Sequence, residues 1–394
     1  MPLKTNINMR PIRPCPACGG REARTLADLS YASFADSSLP AAFRLAACPT
    51  CGLAYYDATG LSEEGLAAYY RQRSGRAGAT GGGGLSRWDL LHYTAIGERL
   101  RPWAGPERAA TAADVGAGGG GLSSFLAEAG YQKLYAVEPG GRAAEARPGV
   151  SVLGGTAAAL PLAPASMDLL IYSHVFEHLL QPGQALAEAA RCLSPGGVIY
   201  LELPDASAYQ AAEPYRQLYQ EHLNHFDPHS LSELLIRNGF KPLALERDRL
   251  ARPGGLDEGV IWAVAASGRS DVNPWPKNEG AEALSHYLAD CAAQPLFRPR
   301  ELSAEPAIVW GLSQQALFIL ERPPFRSLQI TCFMDGDPAK QGRFLRGLKV
   351  LPPDDLPSRP EELLILSAFG AEEAMRAQAL ALGFRGRIMA LRDL

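Results

Sequence analysis

Short apolar runs closed by an acid, a glycine or a proline alternate with segments of helical spacing through the middle of this chain. The clearest case is Ala112–Glu138, AADVGAGGGGLSSFLAEAGYQKLYAVE. An apolar run ends on Asp114, glycines follow at alternate positions (Gly116, Gly118, Gly120), and apolar residues from about Leu122 to Ala129 recur at helical spacing. A second apolar run ends on Glu138. The pattern predicts strand, glycine turn, helix, strand, with a carboxylate at each strand's tip. Ser166–Leu179, SMDLLIYSHVFEHL, predicts a strand from Asp168 and a turn into a helix. Arg191–Asp205, RCLSPGGVIYLELPD, predicts a helix end, a Pro-Gly-Gly turn and a strand. Strands alternating with helices imply a parallel α/β sheet. Trp88–Trp103 has helical spacing and is expected beside that sheet.

Further along, YQEHLNHF (Tyr219–Phe226) precedes a helix that Ser230 would cap, with Glu233 in capping-box register and Gly239 as its end. Ala307–Glu321 predicts strand, glycine turn and helix around Gly311; Ile330–Pro352 predicts a strand ending in acids and then a basic loop. Glu361–Phe369 predicts another strand, which makes this part a second Rossmann-like α/β unit. The glycine-rich stretch Arg71–Gly84 has no periodicity and reads as a linker or a lid. The expected organisation is therefore a small cysteine-bearing domain over 1–75, an α/β domain over 85–267 and a second α/β domain over 275–394.

Length and composition agree with two or three domains: the chain has 394 residues, 47% hydrophobic and 20% charged. A net charge of -4 and scattered basic residues give no nucleic-acid surface. No apolar run approaches the roughly 18 residues that span a bilayer. The first residues carry no apolar signal core, so a cytoplasmic protein is expected, without membrane or nucleic-acid partners.

Three groups of residues carry chemistry. The order D-x-G-x-G-x-G departs from the dinucleotide fingerprint, whose helix start holds a pyrophosphate. Asp114 before the loop would repel a pyrophosphate but suit a cationic ligand, and S-adenosylmethionine carries an ammonium and a sulfonium and no phosphate. Glu138 is placed to hold two ribose hydroxyls. The alternative is a flexible glycine loop. Second, Cys15-x-x-Cys18 and Cys48-x-x-Cys51 are separated by 29 residues, and each is followed by a glycine. Four thiolates in two knuckles suit a closed, structural zinc site; disulfides or buried free cysteines are the alternatives, and a reducing compartment disfavours disulfides. Cys192, Cys291 and Cys332 are isolated and expected to be buried. Third, Tyr219, Glu221 and His222 stand within four residues and can supply an acid/base pair near neutral pH, or can simply satisfy one another.

Between Asp114 and Asp205 the chain resembles a class I S-adenosylmethionine-dependent methyltransferase. The resemblance rests on the acid-glycine loop, the ribose-binding acid, Glu177-His178 after the fourth strand and the Leu193-x-Pro195-Gly196-Gly197 turn. It implies that the adenine lies near Thr156-Ala157 and Ser173-His174. Over most of its length the chain resembles the sugar C-methyltransferases that act on nucleotide-linked keto-deoxysugars. The shared features are the knuckles, the methyltransferase core, the Tyr-x-Glu-His segment and a final α/β domain with Lys340-Gln341-Gly342. That resemblance implies His222 as the base, with Tyr219 and Glu221 in support, removing a proton next to a ketone so that the enolate carbon takes the methyl group. O- or N-methylation of another natural product or glycan, with His222 or His174 as base, is the alternative. The family's His-Gly-Gly-x-Arg stretch corresponds here to Arg252–Glu258, which lacks that His and Arg.

Overall fold

The computed structural model describes residues 13–58, 60–73, 84–143, 146–251, 257–270, 272–295, 305–359 and 363–393. Most of the glycine-rich linker (74–83), and Arg252–Leu256 of the departing stretch, lie outside the described residues. The chain forms two compact units, each assembled from separate pieces. One contains Met1–Ala27, Leu45–Tyr209 and Leu223–Leu284; the other contains Asp28–Arg44, Gln210–His222 and Ser285–Leu394.

The first elements are β1 (Arg24–Ser30), β2 (Ala42–Ala47), β3 (Ala54–Tyr56), α1 (Glu63–Arg73) and α2 (Arg87–Ala104). Helix α2 starts where the spacing places it, because Ser86 and Asp89 exchange side-chain-to-backbone bonds in a capping box. The first unit's main sheet uses β4 (Thr111–Val115), β5 (Lys133–Glu138), β6 (Val150–Gly154), β7 (Met167–Ser173) and β8 (Leu193–Pro204), with α3 (Gly121–Glu128) and α4 (Pro182–Cys192) between them. The short strand β9 (Asn224–His225) pairs with β3, while α5 (Pro228–Arg237) leads into β10 (Phe240–Leu250) and β11 (Glu258–Ser267). The seven strands lie in the order β10-β11-β8-β7-β4-β5-β6, and β4 to β8 are mutually parallel. The chain winds outward from β4 to β6, then returns to β7 on the other side of β4. Such a reversal opens a crevice at the carboxyl ends of the strands, where ligands of open α/β sheets bind.

The middle strands are mostly apolar because helices cover both faces. Leu169 and Ile171 of β7 pack with Ile96 and Leu100 of α2 and Leu126 of α3 on one face. Leu170 and Tyr172 pack with Leu186 of α4 and with Leu231 and Leu234 of α5 on the other. Each fully buried leucine here contributes about 1.5–3 kcal/mol relative to exposure.

After α6 (Gly280–Ala293) comes the second unit's sheet, built on β12 (Ala307–Trp310), α7 (Gln314–Leu320), β13 (Ile330–Met334), β14 (Phe344–Leu345), β15 (Leu348–Leu351), β16 (Leu363–Leu366), α8 (Glu372–Ala381) and β17 (Ile388–Ala390). The order is β14-β15-β13-β12-β16-β17, parallel except for the β14-β15 hairpin. Two distant pieces of chain join this unit by specific bonds. Ala32 N donates to Leu317 O at 2.9 Å, Gln315 Nε2 donates to Pro214 O at 2.7 Å, and the rings of Tyr31 and Phe318 pack 5.1 Å apart.

One local expectation is corrected. Asp227, not Ser230, caps α5, and Ser230 is the N3 partner of the capping box. Pro228 explains the shift: a proline at N1 has its φ preset and no amide left to satisfy, so the helix begins a turn early. Glu233 bonds Arg237 Nε at 3.1 Å instead. Asp227 is 1% exposed and also accepts the amides of Glu279 and Gly280 through Oδ2 at 3.0 and 2.9 Å. Removing a cap costs about 0.5–2 kcal/mol, and stranding buried donors adds about 1–3 kcal/mol. Asp227→Ala should therefore lower unfolding stability by about 3 kcal/mol in denaturant titrations; a loss below about 1 kcal/mol would show that water replaces the carboxylate.

Candidate active site

The knuckles are formed by local turns. Gly19 N donates to Cys15 O at 2.9 Å and Gly52 N donates to Cys48 O at 2.8 Å. Across the two turns, Cys15 Sγ lies 3.5 Å from Cys51 Sγ, and Cys18 Sγ lies 3.5 Å from Cys48 Sγ. All four sulfurs fall within 4.8 Å of one another. A tetrahedron of Zn–S bonds near 2.3 Å has edges of about 3.8 Å, so this donor set fits a four-thiolate site. The lone cysteines Cys192, Cys291 and Cys332 are buried.

The glycine turn follows β4 at the carboxyl edge of the main sheet. Gly116 N donates to Val137 O at 2.8 Å, and Gly118 N donates to the Glu138 carboxylate at 3.0 Å. Gly116 has φ +77°, and a Cβ there would stand 2.7 Å from Val175 Cγ2. Gly120, at φ +86°, starts α3 with a Cβ position only 2.9 Å from Ala143 Cβ. Both positions therefore require glycine. Asp114 is 3% exposed and accepts the Ser123 hydroxyl at 2.8 Å, which ties the strand end to α3. Burial pushes the Asp114 carboxyl up to about 7, with the nearby Glu138 charge adding to the rise and the Ser123 bond opposing it. Thr156 and Ala157 follow β6, where Gly155 N donates to Glu138 O at 3.2 Å. Ser173 ends β7 and registers with Glu202 of β8. The strand order thus brings Asp114, the three glycines, Glu138, Thr156, Ala157, Ser173 and His174 to one edge of one sheet.

Beside them lies a charged cluster that the sequence reading did not assemble. Glu202 is fully buried. His92 Nε2 and Arg99 Nη1, both from α2, contact its two carboxylate oxygens, and the Tyr200 hydroxyl donates to Oε2 at 3.0 Å. Arg99 also reaches Asp248 at 2.6 Å. Burial alone would raise the Glu202 pKa, but His92, His174 and Arg99 outweigh it and take it down to about 2. His174 bonds Glu177 through Nδ1 at 3.2 Å. Burial pulls the His174 pKa down, yet Glu177, Glu258 and Glu202 more than compensate, and the net shift is upward. Two signals were available in the sequence: an acid in the apolar run Val198–Leu203, where buried acids need partners, and His92 and Arg99 seven residues apart on one helix face.

Tyr219, Glu221 and His222 belong to the second unit. They lie in a tight turn in which His222 N donates to Tyr219 O at 3.1 Å and the two rings meet edge to face at 4.7 Å. Glu221 is 5% and His222 7% exposed. His225, in the first unit, is a different kind of group: the Tyr209 hydroxyl meets its Nδ1 at 3.1 Å, and burial drives its pKa down to about 3. In the second unit, Lys340 Nζ pairs with Asp335 at 3.0 Å and Gln341 Nε2 donates to Asp335 O at 3.0 Å, so Lys340-Gln341-Gly342 braces the end of β13. Among the described residues no helix is long and apolar enough to cross a membrane.

Residues 90–245 match the family described as "Methyltransferase domain". A Mycobacterium tuberculosis protein named "Probable S-adenosylmethionine-dependent methyltransferase" is 30% identical over 155 residues, covering 36% of this chain and 53% of its own length. The chain thus spans about half the length of these first mycobacterial relatives. A demethylmenaquinone methyltransferase from Renibacterium salmoninarum is 31% identical over 202 residues, covering 49% of this chain and 76% of its own length. A solved S-adenosylmethionine-dependent methyltransferase from Methanosarcina mazei aligns at 18% identity over 44% of this chain and 98% of its own, with a TM-score of 0.38.

The raised Asp114 pKa predicts a pH dependence. A carboxyl whose pKa is higher folded than unfolded stabilises the fold while protonated, so its contribution is full below the unfolded value near 3.9 and is lost as pH rises towards about 7. The melting temperature of Asp114→Asn, relative to the parent, should rise between pH 5 and pH 8. Parallel melting curves across that range would place the carboxylate's compensation elsewhere.

Proposed function

We propose that this chain, which belongs to the S-adenosylmethionine-dependent methyltransferases, binds its cofactor on the glycine turn of the main sheet and methylates a carbon next to a ketone. The proposed acceptor is a small oxygen-rich molecule of the nucleotide-linked keto-sugar type. A net charge of -4 supports a small-molecule acceptor and disfavours a nucleic acid. The observation that carries the cofactor site is the closed turn Asp114–Gly120 held by Glu138. Glu138 would take the ribose hydroxyls, Asp114 would anchor the loop and the amino end, and Thr156, Ala157, Ser173 and His174 would flank the adenine. The cofactor supplies an electrophilic methyl group on its sulfonium.

Support for the acid/base assignment comes from the packed Tyr219–His222 pair in a buried turn. His222 takes the α-proton of the acceptor, Glu221 orients the imidazole, and Tyr219 donates to the developing oxyanion. O- or N-methylation with His174 as base is the second reading. It is favoured by the Glu177 bond at His174 Nδ1, which orients that ring at the end of β7. The four cysteines would hold a structural zinc, which fits their 3.5 Å sulfur contacts.

Three measurements follow. Calorimetry with S-adenosylhomocysteine should show binding, and Glu138→Ala should weaken it by about 1–3 kcal/mol, the cost of lost hydrogen bonds to a charged group. No heat at millimolar ligand would remove the cofactor site. His222→Asn should cost turnover by about 10²–10⁴-fold while the cofactor still binds, and exchange of an acceptor α-proton into heavy water should vanish. Turnover that needs His222 without carbon-bound exchange would shift the reading to O- or N-methylation. Elemental analysis of reduced protein should find one zinc per chain, lost in Cys15→Ser with cofactor affinity kept; a zinc-free parent would be incompatible with the knuckle site.

A further inference from the structure

We propose that His92 Nε2, His174 Nε2 and Glu202 Oε1 form a binding site for one first-row divalent transition-metal ion. The three ligands come from α2, the end of β7 and β8, all within the first unit. Their donor atoms lie within 4.8 Å of one another. Two imidazoles and one carboxylate on one side of an ion suit Mn²⁺, Fe²⁺ or Co²⁺ and leave positions open for oxygen donors.

Three observations separate this cluster from an ordinary buried ion pair. His174 is oriented as metal-binding histidines are: Nδ1 is engaged by Glu177, which fixes the ring and leaves Nε2 for the ion. Nε2 is buried without a hydrogen-bond partner and stands 3.8 Å from Glu202 Oε1. Buried polar atoms rarely stay unmatched, so this one points to a missing partner. The backbone of His174 is held at φ +54°, an uncommon state for a residue with a side chain, while its amide donates to Glu202 O at 2.8 Å. Strain of this kind is kept where side-chain direction matters.

The position gives the ion a use. Gly116 of the cofactor turn packs against Val175, the residue after His174, so the cluster borders the turn. An ion there would hold and polarise an oxygen donor of a molecule bound at this edge. This use rests on the methyl-transfer reading. The site itself does not, and it is tested by binding alone.

The test uses the full chain with its knuckle cysteines zinc-loaded. Titration with Mn²⁺, followed by loss of the free-ion paramagnetic resonance signal, should show one further ion per chain. His92→Ala, at a partly exposed position, should abolish that binding while circular dichroism stays unchanged. Glu177→Gln, which touches no ion, should weaken it by about 10–100-fold, the usual effect of disturbing a ligand's orienting partner. Co²⁺ should give visible absorption bands that persist in Cys15→Ser, separate from thiolate bands. The proposal is overturned if the parent takes up no Mn²⁺ at millimolar concentration, or if folded His92→Ala binds it as the parent does.

Discussion

Buried carboxylates govern the carboxyl edge of the main sheet. Asp114, Glu138, Glu177, Glu202, Asp205 and Asp227 are all 7% exposed or less. Ionising a carboxylate in such a place costs several kcal/mol, so each one gathers donors, and Asp114, with fewer of them, keeps its proton to higher pH. The tertiary structure supplies those donors one group at a time. Ser123 serves Asp114, the Gly118 amide serves Glu138, and Arg99, Tyr200 and His92 serve Glu202. Ser207 and Arg247 serve Asp205. These acids cluster at or just beyond the strand ends, so satisfying them also fixes the turns at that edge.

The same constraint explains why the turns adopt costly backbone states. Gly116 and Gly120 are left-handed because a loop that brings the Gly118 amide onto the Glu138 carboxylate must double back within a few residues. His174 accepts a similar conformation without being glycine. Its ring then lies between Glu177 and Glu202, and the strain is offset by those contacts. Glu202 depends in turn on α2, whose Arg99 and His92 reach across from a helix covering the sheet. Charge balance, helix packing and turn geometry are therefore coupled at this edge.

The pattern of the sequence was legible wherever structure is local. The two knuckles, the glycine turn and the strand before it, helix α2 and the strand–turn–helix of Ala307–Glu321 are written in residues a few positions apart, and the structure forms elements at each. The α5 cap shows the limit even locally: Ser230 and Glu233 match a capping box, but Pro228 and the needs of the Glu279 and Gly280 amides favour Asp227. The second amides lie some fifty residues away, so no window of sequence around the helix contains them.

The sequence by itself determined the element types, the glycines that only a left-handed turn requires and the chemistry of the candidate groups, because these follow from steric rules and side-chain identity. Tertiary structure alone decided which of those groups meet. It placed Asp28–Arg44 and Gln210–His222 with the C-terminal sheet, through bonds such as Ala32 to Leu317 and Gln315 to Pro214. It joined His92, His174 and Glu202, which are up to 110 residues apart, around one buried charge. Such meetings depend on strand order and on the donors a buried acid must find, and both are properties of the packed chain rather than of any segment of it.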